Sequence, residues 1–140
     1  MKNLDIVLIE DDDNDAELAI LALKKSIPTV EIIRLRDGEE AIEFFEQNGD
    51  IKQKPKLILL DLKMPKIDGL EVLRKIRSND WVKNLPIVML TSSREHKDIV
   101  ESYNLGINSY VVKPVSFKDF ADTISSIGRY WLSVNEESTK

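Results

Sequence analysis

The sequence contains no cysteine and a single histidine, His96. The first absence excludes a disulfide framework, a thiolate metal site and a cysteine nucleophile. The second excludes multi-histidine zinc and iron centres. There is no repeat, no low-complexity segment and no Gly/Ser- or Pro-rich linker. No apolar run approaches the ~20 residues of a membrane helix, and residues 1–30 lack a basic start followed by an apolar stretch. No membrane contact and a cytoplasmic location are therefore expected. The composition, 42% hydrophobic and 32% charged over 140 residues, is that of one globular domain.

The amino-terminal segment also lacks positive charge. In residues 1–15 only Lys2 stands against Asp5, Glu10, Asp11, Asp12, Asp13 and Asp15, so this segment carries the whole net charge of −5. A negative field so localised argues against a nucleic-acid surface and for a bound cation.

Short apolar runs recur between longer amphipathic stretches, at residues 4–9, 30–35, 57–60, 87–90 and 110–112. Ile6-Val7-Leu8-Ile9, Leu57-Ile58-Leu59-Leu60 and Ile87-Val88-Met89-Leu90 are continuously apolar, as strands buried on both faces are. Residues 30–35 include Glu31 and Arg34 and predict an edge strand. After each run a polar cap is followed three residues on by an acid: Asn14 and Glu17, Asp37 and Glu40, Asp68 and Glu71, Ser92 and Glu95, Ser116 and Asp119. Pro28, Gly49 and Gly106 stand where helices should stop. Phe117, Phe120, Ala121, Ile124, Ile127 and Trp131 form one apolar stripe on the last helix. The pattern predicts five βα units in a three-layer α/β domain with a parallel sheet and right-handed crossovers. The domain is expected to span residues 1–132, leaving 133–140 as a polar tail.

In such sheets ligands bind beyond the carboxyl ends of the strands. Those ends carry Glu10 and Asp11, Asp61, Thr91 and Lys113, whereas strand 2 ends in Arg36-Asp37, expected away from the cluster. Crowded carboxylates repel and are relieved by a hard divalent cation, which also grips phosphate oxygens. A carboxylate can attack phosphorus to give an acyl phosphate. Lys113 and Thr91 would supply the ammonium and hydroxyl that such a transfer needs.

These segments resemble a response-regulator receiver domain over residues 4–131. The matching residues are Glu10-Asp11 in VLIEDD, Asp61 in LILLDLKMPKIDG, Thr91-Ser92 in PIVMLTSS, and Tyr110 with Lys113-Pro114 in SYVVKP. The resemblance implies a flavodoxin-like (βα)5 fold with strand order 2-1-3-4-5. It implies that Asp61 is the phosphoacceptor of a partner sensor histidine kinase. Glu10, Asp11, Asp61 and the Lys63 backbone carbonyl would hold Mg²⁺, with Mn²⁺ as an alternative. Thr91 and Lys113 would stabilise the phosphoryl group, Thr91 and Tyr110 would form the switch, and Lys113–Pro114 would be a cis peptide. Lys63 would hang over the phosphate and slow hydrolysis. The acidic loop, polar tail and Tyr130-Trp131 ending resemble the small regulators paired with bacterial phytochrome kinases.

Other readings stand beside these. Asp13 and Asp15 are expected to serve the helix dipole, and His96 to be a solvated helix residue. Apolar residues on helix 4, strand 5 and helix 5 would form a face for a homodimer or another partner. A metal-dependent phosphatase with an aspartate nucleophile would need a second acid at position 63, where Lys63 stands. A flavin-mononucleotide binder would need a first loop that welcomes phosphate, and this one is acidic. A receiver-like adaptor that takes no phosphate is the remaining alternative. No attached output domain is expected at this length, and signalling by docking or by phosphate relay is expected.

Overall fold

A computed structural model describes residues 4–47 and 54–136. Among these residues there are five strands: β1 (Ile6–Ile9), β2 (Ile32–Leu35), β3 (Leu57–Leu60), β4 (Ile87–Thr91) and β5 (Ser109–Val112). They alternate with α1 (Asp13–Ser26), α2 (Gly38–Gln47), α3 (Gly69–Ser78), α4 (His96–Asn104) and α5 (Phe117–Arg129). All neighbouring strands pair in parallel, in the order β2-β1-β3-β4-β5. This is the expected flavodoxin-like arrangement, with β2 on an edge.

The continuously apolar runs become β1, β3 and β4, and every residue of these strands is buried. Because side chains alternate across a strand, each run feeds two cores at once. Val7, Ile9, Ile58 and Leu60 face Phe45, Val72, Leu73 and Ile76 of α2 and α3. Ile6, Leu8, Leu57 and Leu59 face Ala16, Ala19 and Leu23 of α1 and Phe120 and Ile124 of α5. Gly128 lets α5 close on α1, since a Cβ there would lie 2.6 Å from a Leu23 methyl carbon. Among the described residues no helix is long and apolar enough to cross a membrane.

Three of the five expected caps form. Asp37, Asp68 and Ser116 accept the backbone N–H of Glu40, Glu71 and Asp119. The other two differ. α1 is capped by Asp12, which accepts from Asp15 N at 2.9 Å, rather than by Asn14. α4 starts after Glu95 without a side-chain cap, and the exposed Ser92 does not supply one; the Ser93 hydroxyl accepts Glu95 N–H at 3.2 Å and donates to Asp98. Gly106 closes α4 with φ at 98°, and Gly49 lies outside the described residues. Phe117, expected in the apolar stripe, is 75% exposed. Ser133 and Val134, placed by sequence in the tail, belong to a π-helical turn over Tyr130–Val134 that continues α5. The Lys113–Pro114 bond, expected cis, is trans, as is every described peptide bond. Trans is the form an X–Pro bond prefers when nothing around it selects the other.

Candidate functional site

The carboxyl ends of β1, β3, β4 and β5 converge on one rim. β1 runs into Glu10 and Asp11, and β3 into Asp61. Carboxylate oxygens of Glu10, Asp11 and Asp61 all lie within 4.8 Å of one another. Glu10 and Asp61 are buried and Asp11 is exposed, so the cluster opens to solvent on one side. A surface cleft of about 640 Å³, lined by Trp81, Lys83, Asn108 and Trp131 among others, lies instead at the amino ends of the strands.

Lys113 follows β5 and points into the acidic cluster. Its Nζ donates to Glu10 Oε1 at 2.8 Å and to Asp15 Oδ2 at 2.9 Å, and lies 3.8 Å from Asp61 Oδ1. Three carboxylates thus share one ammonium, with Asp11 beside two of them, and the electrostatics follow. Burial, then the Glu10 charge, pushes the Asp61 carboxyl up to about 8 against the pull of Lys113. Burial also raises Glu10. Burial alone would lower Lys113, but the charges of Asp61 and Glu10 outweigh it and raise it.

Several supports were not anticipated. Arg34 of β2 donates from Nε and Nη2 to the Glu10 carbonyl at 3.1 and 2.7 Å, and its Nη1 pairs with Asp13 at 2.9 Å. Arg36 also reaches Asp13, at 3.3 Å. The carboxyl end of β2 therefore touches the acidic loop, contrary to the expectation that it lies away. Asp15, assigned to the helix dipole, is also a Lys113 partner. Nothing in the sequence spacing marks Arg34 or Asp15, because both act across the β1–β2 and β1–β5 gaps.

Thr91 is fully buried, and its Oγ1 accepts the Ser93 N–H at 3.2 Å. Tyr110 is half-buried, and its hydroxyl donates to the Ser93 carbonyl at 2.9 Å. Lys63, expected to hang over a phosphate on Asp61, pairs here with Asp98 of α4 at 3.3 Å. His96 opens α4 on the surface, as expected. Gly69 is required where it stands: a Cβ would run into the Asp61 carbonyl and lie 2.8 Å from the Leu62 Cα. α3 therefore starts pressed against the backbone that carries Asp61, and Gly69 N donates to Leu62 O at 2.8 Å.

Comparison with known proteins agrees with this geometry. A family model described as "Response regulator receiver domain" matches residues 6–125. The response regulator Rcp1 of Synechocystis is 41% identical over 129 residues, which cover 91% of this chain and 88% of that protein. Among solved structures, the phosphorylated cyanobacterial phytochrome response regulator RcpA superposes with a TM-score of 0.89 at 37% identity, covering 96% of this chain and 97% of the other. The Mn²⁺-bound form of Rcp1 does so with a TM-score of 0.86 at 39% identity, covering 96% and 98%. The fold, the rim carboxylates with their lysine, and these matches place the chain in the response-regulator receiver-domain family of two-component signalling.

Proposed function

We propose that this protein is a phytochrome-type response regulator that takes a phosphoryl group from a sensor histidine kinase onto Asp61. The observation that carries the reading is the charge imbalance at the rim, where Glu10, Asp15 and Asp61 face one lysine and Asp11 adjoins Glu10 and Asp61. That imbalance suits a hard divalent cation with oxygen donors, and carboxylates are the donors Mg²⁺ prefers. Glu10, Asp11, Asp61 and the Lys63 backbone carbonyl would hold Mg²⁺, or Mn²⁺ in its place. The cation would offset charge on the incoming phosphoryl oxygens.

This chain's own residues supply the rest. Ionised Asp61 attacks phosphorus, and the bond from phosphorus to the donor nitrogen breaks with its electron pair leaving on the histidine. Lys113 stays as the ammonium beside the new charge, and the Thr91 hydroxyl donates to a phosphoryl oxygen. Thr91 moving toward the phosphoryl would take its hydroxyl from Ser93 N, and Tyr110, bonded to the same loop through Ser93 O, would feel that movement. RcpA in its phosphorylated form is a close structural relative, which supports the acceptor role. The phosphatase alternative loses support, because position 63 holds a lysine paired with Asp98 and offers no acid. The same reading takes residues 1–132 as the receiver domain with a short tail beyond it. It takes α4, β5 and α5 as the output face, where Tyr103, Val115 and Phe117 are exposed, for a second copy or another protein.

Incubation with Mg²⁺ and acetyl phosphate followed by intact-mass measurement tests the proposal. One phosphate adduct is expected, absent in Asp61→Asn and absent without the divalent cation. No adduct from any small-molecule or histidine-kinase donor would refute the acceptor role. Sedimentation of the same samples reads the face: a monomer in both states at high concentration removes the homodimer.

A further inference from the structure

Asp98 is a buried carboxylate that the acceptor chemistry does not use, and it is only 2% exposed. It lies in the first turn of α4. Its Oδ2 accepts the Ser93 hydroxyl at 2.6 Å and the Lys63 ammonium at 3.3 Å. Ser93 in turn donates its N–H to Thr91 Oγ1 and accepts the Tyr110 hydroxyl on its carbonyl. One carboxylate therefore ties the loop after Asp61 to the loop after Thr91.

A buried carboxylate is tolerated when it is hydrogen-bonded and faces a cation. Lys63 is that cation, yet its own side chain is 64% exposed. The ammonium is tethered rather than enclosed, so it can exchange partners at little desolvation cost. Lys63 is two residues from Asp61 in the chain, at most ~7 Å along an extended backbone, which a lysine side chain can span. A phosphoryl group on Asp61 would be the strongest new anion within its reach.

Resting on the acceptor reading above, we propose that Asp98 is a positioning residue that holds the Lys63 ammonium on α4, in competition with the phosphoryl group on Asp61. Loss of that group is hydrolysis. A water oxygen bonds to phosphorus while the bond from phosphorus to the Asp61 oxygen breaks. The electron pair stays on the restored carboxylate, and the water's proton leaves with inorganic phosphate. Lys63 lying across the phosphoryl oxygens obstructs the approach of that water. Asp98, by drawing Lys63 back, opens the approach and shortens the lifetime of the modified state. The same exchange reports to α4, because Asp98 then keeps its Ser93 hydrogen bond and loses its cation.

The test loads the full chain with acetyl phosphate and Mg²⁺, removes the donor, and follows the adduct by intact mass. Asp98→Asn keeps the side-chain shape and an acceptor for Ser93 but removes the charge that holds Lys63. Its adduct is expected to last several-fold longer than that of the wild type. Asp98→Glu, which keeps the charge, should return the lifetime toward wild type. In a Lys63→Met background, Asp98→Asn should change nothing. Lys63→Met alone alters an exposed side chain, leaves the fold intact, and should shorten the lifetime. The proposal is overturned by an unchanged lifetime in Lys63→Met, or by a prolongation in Asp98→Asn that persists without Lys63. In either case the adduct still forms on Asp61 and the acceptor reading survives. Absence of any wild-type adduct removes both.

Discussion

Two partly buried cations sit at opposite ends of the same sheet, and their surroundings differ in one respect. Arg77, near the amino ends of the strands, is ringed by neutral oxygens. It donates twice to the Gly106 carbonyl, at 2.9 and 2.7 Å, and to the carbonyls of Lys83 and Leu85 and the side-chain oxygen of Asn108. Asn108 in turn accepts Ile87 N–H at 2.8 Å, so one guanidinium fixes the end of α3, the entry to β4 and the turn before β5. Lys113, at the carboxyl ends, is ringed by carboxylates. Neutral dipoles satisfy a cation without building opposing charge, whereas several carboxylates around one ammonium leave a surplus. The first arrangement holds strands together. The second stores unbalanced negative charge that a divalent cation can relieve, and there burial, with the Glu10 charge added, raises Asp61 to about 8.

The comparison can be broken from either end. Lys113→Met should have the largest effect. It leaves Glu10, Asp15 and Asp61 facing one another without their ammonium, and should destabilise the metal-free protein by about 3 kcal/mol at neutral pH. Protonation relieves that repulsion, so the loss should shrink as pH falls toward 4, and Mg²⁺ should restore part of it. Denaturant melts across pH, with and without Mg²⁺, measure this; a loss independent of both would contradict the charge-surplus account.

Arg77→Met should come next, at about 2 kcal/mol, because it orphans carbonyl oxygens rather than charges. Its loss should be flat between pH 5 and 8 and indifferent to Mg²⁺. A Mg²⁺-dependent loss in the same melts would erase the distinction between the two ends.

Asp61→Asn should have the smallest effect and the opposite sign. A carboxyl whose folded value is raised from 3.8 to about 8 penalises folding when ionised. The penalty is absent below the unfolded value, grows through the window from about 4 to 8, and is complete above it. Removing the charge should stabilise the metal-free protein by about 1–2 kcal/mol at pH 7. The gain should vanish near pH 4. A gain that grows as pH falls would show that Asp61 is stabilised as the anion.

The two ends were unequally legible beforehand. At the carboxyl rim, Glu10, Asp11, Asp61, Thr91 and Lys113 each follow a strand, and strand ends can be read from apolar runs. Asp37, Asp68 and Ser116 were legible as caps for a similar reason, since a cap and its target lie within one turn. Asn14 and Ser92 misled because acid spacing alone cannot choose among neighbouring polar residues. Asp12 won at α1, and before α4 it is Ser93, not Ser92, that accepts the Glu95 N–H while donating to Asp98. Arg77 gave no signal at all, since its acceptors are backbone carbonyls whose positions no side chain encodes. Arg34, Asp15 and the Lys63–Asp98 pair were silent because each joins residues that only strand order brings together.

The sequence by itself determined the layers and the reactive set. Burial on both faces demands unbroken apolar strands, and their polar ends then fall on one rim. Tertiary structure alone decided how that rim is balanced. Parallel pairing in the order β2-β1-β3-β4-β5 sets Arg34 against the Glu10 carbonyl and sends Lys113 across to Glu10 and Asp15. It also turns Lys63 toward α4 rather than toward Asp61. Electrostatic interaction depends on distance through space and on burial, and neither is carried by position along the chain.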